Sequence, residues 1–242
     1  MDIGKSLTYI TEDERWVSKV LILLIVGFFA WLIFPIFFLI GYAVGITRNV
    51  KNGVEKPLPE WEDWGKLFMD GLYIFIAQFV YTLPFLIIAC VGLVASGGLG
   101  AVVDSGGNPD AAAALLGTTG LIIGCVGFLY MLALVFISPA IIIQYVLQHD
   151  NFGATFRFGE VLGIARDSIG DILIVILVTM GIGLGVSVIL GILQIIPCIG
   201  QILALVISLL MSPYLTAVSG HLYGQIAAKL GGGKTKEEKF AV

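Results

Sequence analysis

Apolar residues in this chain come in long unbroken runs rather than in alternation. No acidic or basic side chain lies between positions 72 and 103 or between 111 and 148, and His221 is the one between 172 and 228. A helix crosses about 30 Å of hydrocarbon with about 20 residues. The stretches 72–95, 113–147, 171–196 and 200–228 meet that length. They are too long for barrel strands, and in lipid an open backbone leaves only the helix. The pattern predicts an all-α membrane protein with four transmembrane helices. A fifth run, 20–46, has 27 residues and as a straight helix would reach about 40 Å. It reads either as one long tilted span or as an N-terminal hydrophobic hairpin, bent near Pro35, that enters and leaves by the same face.

Charge placement bears on that choice. The 13 Lys and Arg fall into four groups: Lys5, Arg15 and Lys19; Arg48, Lys51, Lys56 and Lys66; Arg157 and Arg166; and Lys229, Lys234, Lys236 and Lys239. The loop 96–110 and the turn 197–200 contain none. Basic residues mark the cytoplasmic side. The last three groups then fit one alternating topology, with 47–71, 148–170 and the tail inside. The first group fits only if the first run turns back, which favours the hairpin.

Two stretches show helical periodicity of a different kind. Over 59–71, Trp61, Trp64, Leu67 and Phe68 share one face, while Glu62, Asp63, Lys66 and Asp70 take the other. Over 154–168, Phe156, Val161 and Ile164 alternate with Arg157, Glu160 and Asp167. Both are expected as amphipathic helices lying along the cytoplasmic interface. The descents toward them resemble each other: Pro35, then Gly41-Tyr42, Asn49 and Gly53; and Pro139, then Gln144-Tyr145, Asn151 and Gly153. This suggests a parallel internal repeat. Residues 1–230 read as a single polytopic membrane domain and 231–242 as a polar cytoplasmic tail.

Composition agrees. The chain is 58% hydrophobic and 12% charged, with a mean hydropathy of +1.02, against about 45–50% and about 25% for a soluble domain. The net charge of −4 leaves no basic arm for nucleic acid. Segment 55–70 sums to −3, which an anionic leaflet does not attract. Its acidic face therefore suits a protein partner, or its aromatic face does the anchoring alone. Cys90, Cys125 and Cys198 sit in apolar runs without a CxxC pair, so they are expected as small core residues. The N-terminus lacks a signal peptide's charge and cleavage pattern and reads as retained.

The stretch GYAVGITRNVKNGVEKPLPEWEDWGKLFMDGL, Gly41–Leu72, resembles the signature of a family of prokaryotic multi-pass membrane proteins, the domain of unknown function numbered four thousand and thirteen. SLTYITEDERWVSKVLI upstream and FRFGEVLGIARDSIGDIL downstream are similar to it more loosely. The resemblance implies a polytopic membrane protein of a bacterium or archaeon and supplies no reaction. The motif has a physical reading of its own. Arg48 and Asn49 close a helix at its cytoplasmic end, where a cation complements the dipole. Gly53 permits a left-handed turn. Pro57-Leu58-Pro59 holds off helix until Pro59, which suits a first helical position. Trp61, Glu62, Asp63, Trp64 and Asp70 then form the two faces, a scaffold or a docking surface.

Candidate chemistry is sparse. No HExxH, GxSxG, Walker loop or dinucleotide fingerprint occurs, and no cofactor or metal is expected. His149-Asp150 reads as a solvated turn, and Gly97-Gly98 and Gly106-Gly107 as turn formers in the outside loop. Gln144 and His221 form the candidate intramembrane polar site. Small-residue stripes at Gly117, Gly120, Gly124 and Gly127, and at Gly181, Gly185, Ser187 and Gly191, predict close helix contacts within the monomer or between two copies. The leading expectation is a non-enzymatic accessory or structural subunit of a prokaryotic cell membrane, C-terminus cytoplasmic, showing its acidic, Trp-bearing surface to a protein partner. The alternative is a small-solute or lipid permease with a cavity between helices kinked at Pro84, Pro139 and Pro213, near Gln144 and His221.

Overall fold

The computed structural model describes the backbone of residues 1–104 and 108–240. Gly106-Gly107, the last two residues of the tail and the side chains of Lys234, Lys236 and Lys239 lie outside the described residues. Every regular element described is helical: α1 (Ile3–Thr8), α2 (Trp16–Phe28), α3 (Phe34–Lys51), α4 (Trp64–Asp104), α5 (Pro109–Leu147), α6 (Phe158–Asp167), α7 (Ile169–Leu193) and α8 (Ile199–Phe240). Four segments are long and apolar enough to cross a membrane: Trp64–Val94, Gly117–Leu147, Ile169–Leu193 and Ile199–Gly232. Only 6% to 22% of their most apolar windows is buried inside the molecule. Leu177, Leu184 and Val188 of α7 point outward. So much exposed apolar surface calls for a hydrocarbon solvent, and the chain is a multi-pass membrane protein. Cys90 and Cys125 are exposed on these helices and Cys198 on the turn between α7 and α8, rather than in the core, because the outward face here is as apolar as the inner one.

The run 20–46 is not one straight helix. Helix α2 ends at Phe28, a 3-10 turn covers Phe29–Leu32, Ile33 takes φ +67°, and α3 begins with Pro35 in its first turn. The two ends of the run meet the same strap of chain, 54–63. Lys19 Nζ donates to the Leu58 carbonyl at 3.1 Å, and Trp61 Nε1 donates to the Lys19 carbonyl at 3.1 Å. From the end of α3, Asn49 Nδ2 donates to the Pro57 carbonyl at 2.9 Å.

The surface helix expected over 59–71 is not a separate element. Residues 57–60 are irregular, and α4 runs unbroken from Trp64 to Asp104. Asp63, not Pro59, sets its start: Oδ1 accepts the Lys66 amide at 2.9 Å, an N-cap bond that also places a carboxylate at the helix's positive end. Pro59 is instead buried in the strap. Gly97 and Gly98 lie within α4 rather than in a loop. The second stretch, 154–168, holds a 3-10 turn (Phe152–Phe156) and the short helix α6, separated from α7 at Ser168.

The chain divides into two compact units, Met1–Ala77 with Pro139–Val242, and Gln78–Ser138. In the larger, Gly41 through Thr47 of α3 are all buried. Two crossings explain this. A Cβ at Gly41 would fall on the Leu67 carbonyl oxygen, and one at Gly71 on that of Phe37, so α3 and α4 touch backbone to backbone. On α8, a Cβ at Gly220 would come within 2.9 Å of the Ala43 carbonyl oxygen, and one at Gly224 within 2.5 Å of Val50 Cβ. Within the monomer most of the glycine stripes do not pack: Gly117, Gly120, Gly124, Gly181, Gly185 and Gly191 border open space. In the smaller unit, Gly127 packs on Phe85, Gln78 Nε2 donates to Ser138 Oγ at 2.8 Å and Tyr130 Oη to the Tyr81 carbonyl at 2.5 Å.

Candidate functional site

The helices α3 and α5 both end with a residue at positive φ and a backbone bond that reaches back five residues. After Lys51, Gly53 takes φ +73°, its amide bonds the Val50 carbonyl at 3.0 Å, and the Val54 amide bonds that of Asn49 at 3.0 Å. These are the two bonds of a Schellman cap. After Leu147, His149 takes φ 55° and the Asp150 amide reaches back to the Tyr145 carbonyl at 3.0 Å. His149 therefore occupies the place of Gly53, a backbone role without a reaction attached.

A charged cluster ties the two turns together. Arg48 Nη2 donates to Asp70 Oδ2 at 2.6 Å, and its Nε to Asp150 Oδ1 at 3.0 Å. Tyr145 Oη donates to the other Asp70 oxygen at 2.7 Å, and Lys66 Nζ stands 3.7 Å from Asp150. Burial alone would lower the Arg48 pKa, but hydrogen bonds to Asp70 and then Asp150 outweigh it and raise it above its ordinary value. Asp70 is only 4% exposed. It was expected on the outward acidic face and belongs to the interior, because the Gly41–Gly71 crossing brings this turn of α4 against α3.

A second cluster fixes the strap. Lys19 Nζ donates to Asp13 Oδ2 at 2.7 Å and lies 2.8 Å from Glu60 Oε1. Arg15 Nη2 binds the same Glu60 oxygen at 2.8 Å, and Lys56 Nζ reaches Glu14 at 2.6 Å. Burial would raise the Asp13 carboxyl, but the Lys19 ammonium and the Arg15 amide outweigh it and hold it below the usual aspartate value. Trp61 stacks on Tyr42 at 5.0 Å between centroids. Pro57, Leu58 and Pro59 are buried, while Glu62, Asp63 and Trp64 remain exposed. Glu55 and Glu62 carry no ion pair among the described residues.

Gln144 and His221 are both buried and share no partner. Gln144 Nε2 donates to Glu160 Oε2 at 2.5 Å. His221 stacks on Tyr9 at 4.4 Å and meets Gln225 Nε2 at 3.1 Å. Gln225 also binds both backbone groups of Asp2, so His221 helps seat the N-terminal segment on α8. A cavity of about 330 Å³ reaches Pro213 and has nearly all-apolar walls; Pro84, Pro139, Gln144 and His221 are not among its lining residues. Sequence reasoning missed Asp13, Lys19, Tyr145 and Asp150, all of which look like ordinary loop or span residues until the turns are brought together. The likeness of Tyr42, Asn49 and Gly53 to Tyr145, Asn151 and Gly153 was the available signal for the last two.

No three His, Cys, Asp or Glu among the described residues are grouped to hold a metal ion. No curated protein and no solved structure matches the chain. Residues 24–195 match the family described as protein of unknown function (DUF4013), which takes in both turns, the strap and the Arg48–Asp70–Asp150 cluster. The chain belongs to that family.

Proposed function

We propose that this protein is a non-enzymatic accessory or structural subunit of a prokaryotic cell membrane, and that it offers the outer side of its strap to a basic surface on a partner protein. The observation that carries this reading is the contrast between the two sides of residues 54–64. The inner side is pinned by Asn49, Lys19, Arg15 and Trp61, so the backbone is already ordered. The outer side leaves Glu55, Glu62 and Trp64 exposed. A preordered surface with uncommitted charge and an exposed aromatic loses little entropy on docking.

In this reading the strap is cytoplasmic. The positive-inside rule places it there, and the contacts of one end of the larger unit support it. Asp2 meets Gln225, Arg48 meets Asp150, and Lys229 meets Asp171 at 2.7 Å. The N-terminus, both loops and the end of the last span thus share one side. Helices α2 and α3 then form a hairpin that enters and leaves by that side, and α6 lies at the interface.

The test is extraction of the tagged full chain from its own membranes in mild detergent. A constant partner is expected, released by salt because exposed charges are screened. Glu55→Lys with Glu62→Lys should release it at lower salt without changing the melting temperature. Asp63 and Asp70 are left intact, since one caps α4 and the other is buried. Isolation as a clean monomer, or binding indifferent to the charge reversal, contradicts the proposal.

A further inference from the structure

The apolar cavity lies between the N-terminal segment and α8, and its walls include Ile10, Trp16, Tyr42, Leu58, Leu210 and Tyr214. Its volume of about 330 Å³ falls at the lower end of small-ligand sites, which run from about 300 to about 1,000 Å³.

One polar atom breaks the pattern. Tyr42 is fully buried, and its hydroxyl is the buried side-chain polar atom without a hydrogen-bond partner among the described residues. The other hydroxyls in the wall are engaged, Tyr214 with the Leu7 carbonyl at 3.4 Å and Thr11 with that of Thr8 at 2.8 Å. A buried hydroxyl left unpaired costs about 1–3 kcal/mol, so its retention beside an apolar cavity points to a partner that arrives with an apolar body. A neutral hydroxyl in that position donates to an acceptor oxygen. Leu58 borders both this cavity and a second one of about 340 Å³, lined by Asp13, Lys19, Lys56 and Glu60. The polar end of an occupant would meet that charged floor.

We propose that the cavity holds one hydrocarbon chain of a membrane glycerolipid, with an oxygen of its glycerol linkage accepting a hydrogen bond from Tyr42. This site is separate from the outer side of the strap and stands whether or not a protein docks there.

The full chain is reconstituted into vesicles of phosphatidylethanolamine and phosphatidylglycerol, re-extracted in mild detergent and examined by native mass spectrometry. The wild type should retain a lipid through detergent washing. Tyr42→Phe should retain it about two- to tenfold less, the worth of one hydrogen bond, while melting no lower than wild type in lipid-free detergent, because it removes an unpaired group. Leu210→Trp, at a partly exposed position of the wall, should fill the cavity and abolish retention. A wild type that carries no lipid, that carries only free fatty acid, or whose retention is unchanged in both variants overturns the proposal.

Discussion

Single residues in this chain are held by what the folded turns bring to them. Asp70 looks like a member of an exposed acidic face, yet it receives Arg48 on one oxygen and Tyr145 on the other while 4% exposed. Removing one member of a buried pair leaves the other charge uncompensated. Asp70→Asn should therefore lower stability by about 2–3 kcal/mol, since Arg48 keeps Asp150 and is itself partly exposed. Unfolding in mixed sodium dodecyl sulfate and dodecyl maltoside measures this. Glu62→Gln, exposed and without an ion pair, should change stability by less than about 0.5 kcal/mol. Equal loss in the two variants would contradict the assignment of Asp70 to the interior. Burial was not legible at this position, because polar periodicity records which residues share a helix face but not which neighbour covers it.

At the scale of elements, hydropathy located the four spans because length and charge depletion are local properties. The boundaries were harder. The expectation that Pro59 opens a helix gave way to the cap at Asp63, and both were visible in the sequence; only packing of Pro57 and Leu58 against α3 decides between them. The break in the first run was legible from Pro35 and the basic N-terminal group, but the residue at positive φ, Ile33, was not. Glycine stripes did not locate the crossings within the monomer for a physical reason: an outward-facing glycine and a glycine facing a helix look alike in sequence. The crossings fall at Gly41, Gly71, Gly220 and Gly224 instead. Gly41→Ala should accordingly prevent close approach of α3 and α4 and yield chain that aggregates on extraction, because the new carbon meets backbone rather than a yielding side chain. Gly181→Ala, facing open space, should be neutral or stabilise by up to about 1 kcal/mol. Fluorescence-detected size exclusion with a heating step separates the two outcomes, and a well-folded Gly41→Ala would refute the crossing.

For the molecule as a whole, the medium and the side of the strap matter most. Membrane character was legible from composition alone. The meeting of the N-terminus with the end of the last span was not, because it rests on Gln225 reaching Asp2 across nearly the full length of the chain. That contact supports the proposed hairpin reading of the 27-residue run. The most direct measurement is thiol labelling in intact cells, with Cys90, Cys125 and Cys198 replaced by Ala and single cysteines introduced by Asp2→Cys or Glu62→Cys. An impermeant maleimide should reach neither position until the membrane is permeabilised, and then should reach both. Labelling of Asp2→Cys in intact cells, with Glu62→Cys still protected, would make the first run a single crossing and contradict the account.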